Sequence, residues 1–220
     1  MDPVLLINPN SSERTTDEML AIVRRHLPDV RGWTNVNAPA MITDQDALLA
    51  AGNQIALAAL PPARAVIVAA FGDPGATALA KTLEVPVVGI GAAAARSAGQ
   101  GGAAFAVVTT TPKLAPAIDA LMRAHGVGYL GCFLTQGDPE ALLEDPAALD
   151  FALQDACQTA AQAGAERIII GGGPLAAAAI RIAAQVSVPL VQPLVAACHE
   201  VASRIGHPVP PVPDEFRSER

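Results

Sequence analysis

The sequence predicts an α/β fold of two pseudo-symmetric lobes, each a parallel sheet flanked by helices, with an active-site cleft between them. Three observations carry that expectation. Short apolar runs alternate with helix-length segments along the whole chain, the pattern of βαβ units whose strands are covered on both faces. The pattern recurs at an offset a little over 100 residues, too long for a solenoid period and right for two half-sized lobes. Four strand ends run into turns rich in Gly, Pro, Ser, Thr or Asn, where a parallel sheet presents its binding edge.

In chain order, strands are expected at Val4–Ile7, Ala65–Ala69, Val85–Ile90, Ala104–Thr109, Arg167–Ile170 and Val188–Val191. They lack the polar alternation of a half-exposed strand. Helices are expected over 13–27, 44–59, 75–83, 112–125, 146–163, 174–185 and 193–205. Asp44 and Thr111 are placed to accept the free N–H groups of a first helical turn. Pro112 and Pro174 suit the first helical position, where no N–H is needed. The repeat can be followed in the letters. Val4-Leu5-Leu6-Ile7-Asn8-Pro9-Asn10-Ser11 is answered by Phe105-Ala106-Val107-Val108-Thr109-Thr110-Thr111. Arg64–Ala70 is answered by Arg167–Gly172, and Val85-Pro86-Val87-Val88 by Val188-Pro189-Leu190-Val191. The lobes then span 1–97 and 98–195, hinged at Ala98-Gly99-Gln100-Gly101-Gly102. Residues 196–220 form a C-terminal helix and tail returning to the first lobe, and the Pro- and charge-rich stretch after 206 packs loosely.

A chain of 220 residues, 51% hydrophobic and 16% charged, is long enough to bury a sizeable core. Much of the apolar content is alanine, with 3% aromatics, which suits helices packed closely on a sheet. The formal net charge of −7 argues against nucleic acid or an anionic membrane as partner. Apolar runs are short and interrupted, and the start lacks the basic, long-apolar pattern of an export signal. A cytoplasmic protein with no membrane segment is expected. Cys132, Cys157 and Cys198 form neither a CxxC pair nor a Cys/His cluster, which speaks for a reduced compartment and against a disulfide framework or a metal site. Gly89-Ile90-Gly91-Ala92-Ala93-Ala94 is similar to a dinucleotide fingerprint, but the next strand ends in threonines rather than the acidic residue a ribose needs.

The four strand-end junctions are Asn8–Ser12, Ala70–Gly75, Thr109–Pro112 and Gly171–Pro174. Backbone N–H groups at helix starts carry partial positive charge, so a cleft built from these junctions suits a small carboxylate or a carbonyl-rich ring. Candidate ligand contacts are Asn8, Ser11, Phe71, Gly72, Thr109, Thr110, Gly171 and Gly173. Each also has a structural reading. Asn8, Asn10, Ser11 and Ser12 can cap the first helix, the threonines can end a strand, and Gly171–Gly173 can permit close helix–sheet packing. Asp73, within Gly72-Asp73-Pro74-Gly75, is either a turn residue or a catalytic acid or base.

Asn8-Pro9-Asn10-Ser11-Ser12, Phe71-Gly72-Asp73-Pro74-Gly75, Val85-Pro86-Val87-Val88-Gly89-Ile90-Gly91 and Val107-Val108-Thr109-Thr110 resemble the hydantoin racemase branch of the aspartate/glutamate racemase superfamily. The resemblance extends to about residue 200. It implies two pseudo-symmetric lobes, no cofactor, a small-molecule substrate and a homo-oligomer. It further implies chemistry at an acidic carbon beside a carbonyl or carboxylate, with one cysteine from each lobe. One thiolate removes the proton and the opposite thiol delivers another.

Matched to the family's motifs, the first cysteine falls at Ala70 and the second at Gly172, two positions that the repeat also pairs. Both thiols are absent, and neither alanine nor glycine can exchange a proton. Ala92 and Gly173-Pro174 also depart from the family, and its C-terminal motif is missing from Ile205–Arg220. What remains expected is a retained cradle with changed, cofactor-independent isomerase or decarboxylase-like lyase chemistry. Asp73, a threonine or a bound water would be the remaining acid, with His199 a further candidate. The alternatives are a catalytically inactive carboxylate-binding paralogue and a thiol-free variant of a hydantoin racemase.

Overall fold

Apolar runs without polar alternation are satisfied only between two helical layers. The computed structural model, which describes residues 2–208, puts them there. The strands are β1 (Val4–Asn8), β2 (Val30–Thr34), β3 (Ala65–Val68), β4 (Val87–Gly89), β5 (Phe105–Thr109), β6 (Tyr129–Leu134), β7 (Arg167–Ile170) and β8 (Leu190–Val191). The helices are α1 (Glu13–Val23), α2 (Gln45–Ala56), α3 (Ala76–Thr82), α4 (Ile90–Ala98), α5 (Ala115–His125), α6 (Pro139–Glu144), α7 (Pro146–Gln162), α8 (Ala176–Ile182) and α9 (Pro193–Arg204). The first sheet runs β2-β1-β3-β4 and the second β6-β5-β7-β8, every pair parallel. The second order is the first with each index raised by four. The repeat in the letters is thus a repeat of topology.

The outermost strands β2 and β6 escape a search for apolar runs. Arg31 is exposed on β2, and Leu130 and Leu134 are exposed on β6, so an edge position leaves no continuous apolar signal. Helix α4 escapes for the opposite reason. Ile90 to Ala95 are all buried, so it has no polar face and no helical period, and Ile90, expected to end a strand, opens this helix. Asp44 caps α2, its Oδ1 accepting the Ala47 N–H at 2.9 Å. Thr111 caps nothing; Pro112–Leu114 form a separate 3₁₀ turn before α5. Pro174 lies inside a similar turn, Gly173–Leu175, ahead of α8.

Three apolar layers position the site. Leu194, Ala197, Cys198, Val201 and Ala202 of α9 pack beneath the first sheet with Val4, Leu6, Met19 and Val23. The second sheet rests on α7 and α8 through Leu153, Ala156, Ala178 and Ile182. Between the sheets, Phe71, Ala94, Ala95 and Ala98 meet Phe105, Val107, Ile118 and Met122. Each large side chain so buried contributes ~1.5–3 kcal/mol. A two-pronged ion pair from Arg96 on α4 to Glu200 on α9, at 2.8 Å, ties the α4–α9 contact at the surface. The Pro-rich stretch expected to pack loosely lies almost wholly outside the described residues. Among the described residues, no helix is long and apolar enough to cross a membrane, and no three His, Cys, Asp or Glu gather as metal ligands.

Candidate active site

The register of the sheets brings two positions into correspondence. In the first lobe Ile7 lies opposite Val68, and the Ala69 N–H then donates to the Ile7 carbonyl at 2.8 Å. In the second Val108 lies opposite Ile170, and the Gly171 N–H donates to the Val108 carbonyl at 2.9 Å. Ala70 and Gly172 each follow that last ladder bond. Both line one cavity of about 60 Å³ between the lobes. At about 10–15 Å³ for each water, it has room for the reactive end of a small molecule rather than a large ring system. Met41, Ile42, Leu48 and Leu143 make its walls apolar, and Asn10, Thr15 and Thr109 to Thr111 supply the polar side chains. Among the described residues lining it, none is acidic, basic, cysteine, histidine or tyrosine.

The polar side chains divide into stays and arms. Asn8 is fully buried, its Oδ1 accepting the Asn10 N–H at 3.2 Å and its Nδ2 donating to Asn10 Oδ1 at 2.8 Å. Ser12 caps α1 through the Thr15 N–H at 3.2 Å and donates its own N–H to Asn10 Oδ1 at 2.9 Å. With its oxygen doubly used, Asn10 faces the cavity, and among the described residues its Nδ2 finds no acceptor. In the second lobe Thr109 Oγ1 donates to the Gly171 carbonyl at 2.8 Å, so the Thr111 hydroxyl 3.1 Å away must donate to it. Thr110 is buried, lines the cavity and has no side-chain partner among the described residues. The cavity therefore receives an amide N–H from one lobe and a hydroxyl from the other, both neutral.

Asp73 is engaged elsewhere. At φ +51° its carboxylate turns to the start of α4, where Oδ1 accepts the Gly91 N–H and Oδ2 the Ala92 N–H, both at 2.7 Å. A helix start offers such unpaired donors and the positive end of its dipole. A Cβ on Gly89 would overlap this carboxylate, and one on Gly91 would stand 3.2 Å from it. The glycine pattern similar to a nucleotide fingerprint thus admits a carboxylate of the chain itself. Burial pushes the Asp73 pKa up to about 6, against the Ala92 and Gly91 hydrogen bonds and the nearby Arg96, which pull it down. Weighed from the sequence as an acid or base, Asp73 is not on the cavity wall.

Of the other candidates, Phe71, Thr109, Thr110 and Gly171 reach the wall, Asn8, Ser11 and Gly72 do not, and the placement of Gly173 against the cavity lies outside what is described. Phe71 crosses to the second lobe and packs on Gly171, where a Cβ would come within 2.6 Å of its ring. Gly172 has φ +141°, a conformation that L side chains rarely adopt, whereas Ala70 has no positive φ. No cysteine reaches the cavity, and burial pushes all three thiols up to about 12, where they are inert. His199 lies edge-on to His26 at 5.6 Å between ring centres, away from the wall, with its pKa lowered by burial. Sequence reasoning missed Asn10, Thr15 and Thr111 as wall residues, although Asn10 sits inside a motif that it singled out. Met41, Ile42, Leu48 and Leu143 belong to no motif and carried no signal.

The chain matches the Asp/Glu/Hydantoin racemase family over residues 4–201. It is 28% identical to a hydantoin racemase of Paenarthrobacter aurescens over 221 residues, 92% of this chain and 91% of that protein. A hydantoin racemase of Rhizobium meliloti is likewise 28% identical, over 91% of this chain and 88% of that one. The crystal structure of allantoin racemase from Pseudomonas fluorescens superposes with a TM-score of 0.82 at 26% identity, covering 99% of this chain and 98% of the other. A mutant of arylmalonate decarboxylase in liganded form shares the fold, with a TM-score of 0.72 at 16% identity over 99% of each chain.

Proposed function

From a chain that belongs to the Asp/Glu/hydantoin racemase family, we propose an enzyme that binds a small carboxylate or cyclic ureide in the inter-lobe cavity. It acts at the carbon α to the carbonyl, without cofactor and without a two-thiol relay. One observation carries this reading: Ala70 and Gly172 stand at equivalent strand ends inside a cavity whose described wall has no titratable side chain. Asn10 and Thr110 supply neutral donors from opposite lobes to a carbonyl or carboxylate oxygen. In an apolar space such donors stabilise charge arriving on that oxygen more strongly than they do in water.

Decarboxylation of a malonate-like acid suits this arrangement. The bond between the α carbon and one carboxylate breaks, carbon dioxide leaves, and the electron pair passes into the remaining carboxyl as an enediolate. Asn10 and Thr110 hold that enediolate while water protonates the carbon and is left as hydroxide. The apolar wall at Met41, Ile42 and Leu48 disfavours the departing carboxylate and accepts carbon dioxide. The second reading is a catalytically inactive carboxylate-binding relative, favoured by the same lack of an acid or base. A simple thiol-free racemase fits less well, because the Gly172 backbone has taken a conformation unfavourable to cysteine.

The test is incubation with 2-substituted malonates and 5-substituted hydantoins in D₂O, followed by NMR and by thermal denaturation. Carbon dioxide loss with deuterium at the α carbon, or α-proton exchange above the uncatalysed rate, is expected. A saturable rise in Tm without turnover selects the binding relative. Neither turnover nor a rise in Tm overturns both.

A further inference from the structure

We propose a second ligand site, for a small oxyanion such as a carboxylate or phosphate, at the hinge where both chain crossings between the lobes meet. The first crossing leaves α4 through Ser97 and Gln100; the second leaves β8 through Gln192 into α9. Between them lies a cavity of about 210 Å³, bordered by Ser97, Gln100, Arg167, Gln192, Val195 and His199. It shares no residue with the inter-lobe cavity, and among its described lining residues none is acidic. A small site of this kind selects for negative charge, although the chain as a whole is acidic.

Three donors there lack acceptors. Arg167 spends Nη1 on the carbonyls of Ser97, Ala98 and Gln100, at 3.2, 2.9 and 3.0 Å. These bonds tether the first crossing to the second sheet and fix the guanidinium, whose other nitrogens find no acceptor among the described residues. Gln192 is 8% exposed, and its Nε2 is buried without a partner. His199 Nε2 is likewise buried without a partner, and it is a donor in the Nε2–H tautomer that the proposal requires. Buried polar nitrogens are nearly always hydrogen-bonded, so two without partners in one cavity call for an explanation. An oxyanion received by Arg167, Gln192 and His199 supplies it. The adjacent carboxylate, Glu200, does not compete, because Arg96 holds it at 2.8 Å and Arg204 holds its other face.

Thermal denaturation of the full chain with inorganic phosphate, and separately with acetate, at an ionic strength held constant with sodium chloride, tests the site. A saturable rise of about 3–6 °C at tenfold the Kd is expected for at least one of them, and which one names the ligand class. The bound anion also raises the His199 ring pKa, read by ¹H–¹⁵N spectra of the unaltered protein. Gln192→Leu and His199→Phe keep the circular dichroism of the parent and an equal or higher Tm without ligand, and lose the rise. Thr110→Val, in the other cavity, keeps it. No saturable rise with either anion and an unmoved His199 titration overturn the proposal. So does a rise that, in the Thr110→Val background where the inter-lobe cavity is weakened, survives Gln192→Leu with His199→Phe, or one abolished by Thr110→Val alone.

Discussion

The turns at Ala70 and Gly172 occupy the same place in their lobes and are secured in opposite ways. The first is held by charge, with both Asp73 oxygens on backbone N–H groups of α4. The second is held by neutral contacts, the Thr109 hydroxyl on the Gly171 carbonyl at 2.8 Å and the Leu175 N–H on the Gly172 carbonyl at 3.1 Å. Ala70 keeps an ordinary backbone; Gly172 does not. Equal topology therefore leaves unequal freedom. A side chain can be restored to the first position, while at the second the backbone itself must change.

The largest expected effect lies in the charged anchor. Asp73→Ala strips two charge-assisted hydrogen bonds from the first turn of α4, and a loss of about 3 kcal/mol is expected in urea denaturation at pH 7. A loss below about 1 kcal/mol would break the contrast, since the first turn would then need no anchor. Next is the glycine. Gly172→Cys should cost about 1–3 kcal/mol through backbone strain, whereas Ala70→Cys should be nearly neutral. The double substitution is accordingly expected to leave hydantoin racemisation at background in a chiral assay; robust racemisation would show that the second turn yields easily.

The third expectation separates the anchors by pH. The folded chain takes up a proton at Asp73 near pH 6, the unfolded chain only near 3.8. Stability from this group therefore grows as pH falls through that window and is lost as pH rises through 6. The gain is about 1 kcal/mol between pH 7 and pH 5. His26, His125 and His199, with pKa values lowered by burial, act in the other direction below 6.5. The readable quantity is thus the difference between the parent and Asp73→Asn, which should shrink in the parent's disfavour as pH rises. The neutral second turn should contribute no such slope, so Thr109→Val should run parallel to the parent. Smallest is the arm in the cavity. Thr110→Val should weaken ligand binding about three- to fivefold by calorimetry, with little change in Tm.

Much of this contrast could be read from the letters. The repeat alone pairs residues 70 and 172, and six strands are legible because runs covered on both faces are apolar throughout. Edge strands β2 and β6 were lost because one side of each meets solvent, and α4 because it meets none. At the site, Phe71, Thr109, Thr110 and Gly171 were recognisable from their strand ends. The sequence leaves Asp73 open between a turn residue and an acid or base, because a carboxylate in a turn looks alike whether it faces a ligand or a helix start 18 residues onward.

The sequence by itself determined the doubled βαβ order, the strand-end turns and the absence of sulfur at positions 70 and 172. Those follow from local periodicity, turn chemistry and residue identity, which need no neighbours. Only the tertiary structure decided that Asn10 and Thr110 face the cavity, that Asp73 faces α4, and that Gly172 is held at φ +141°. A side chain's direction is settled by partners far along the chain, and those partners are chosen only when the layers pack.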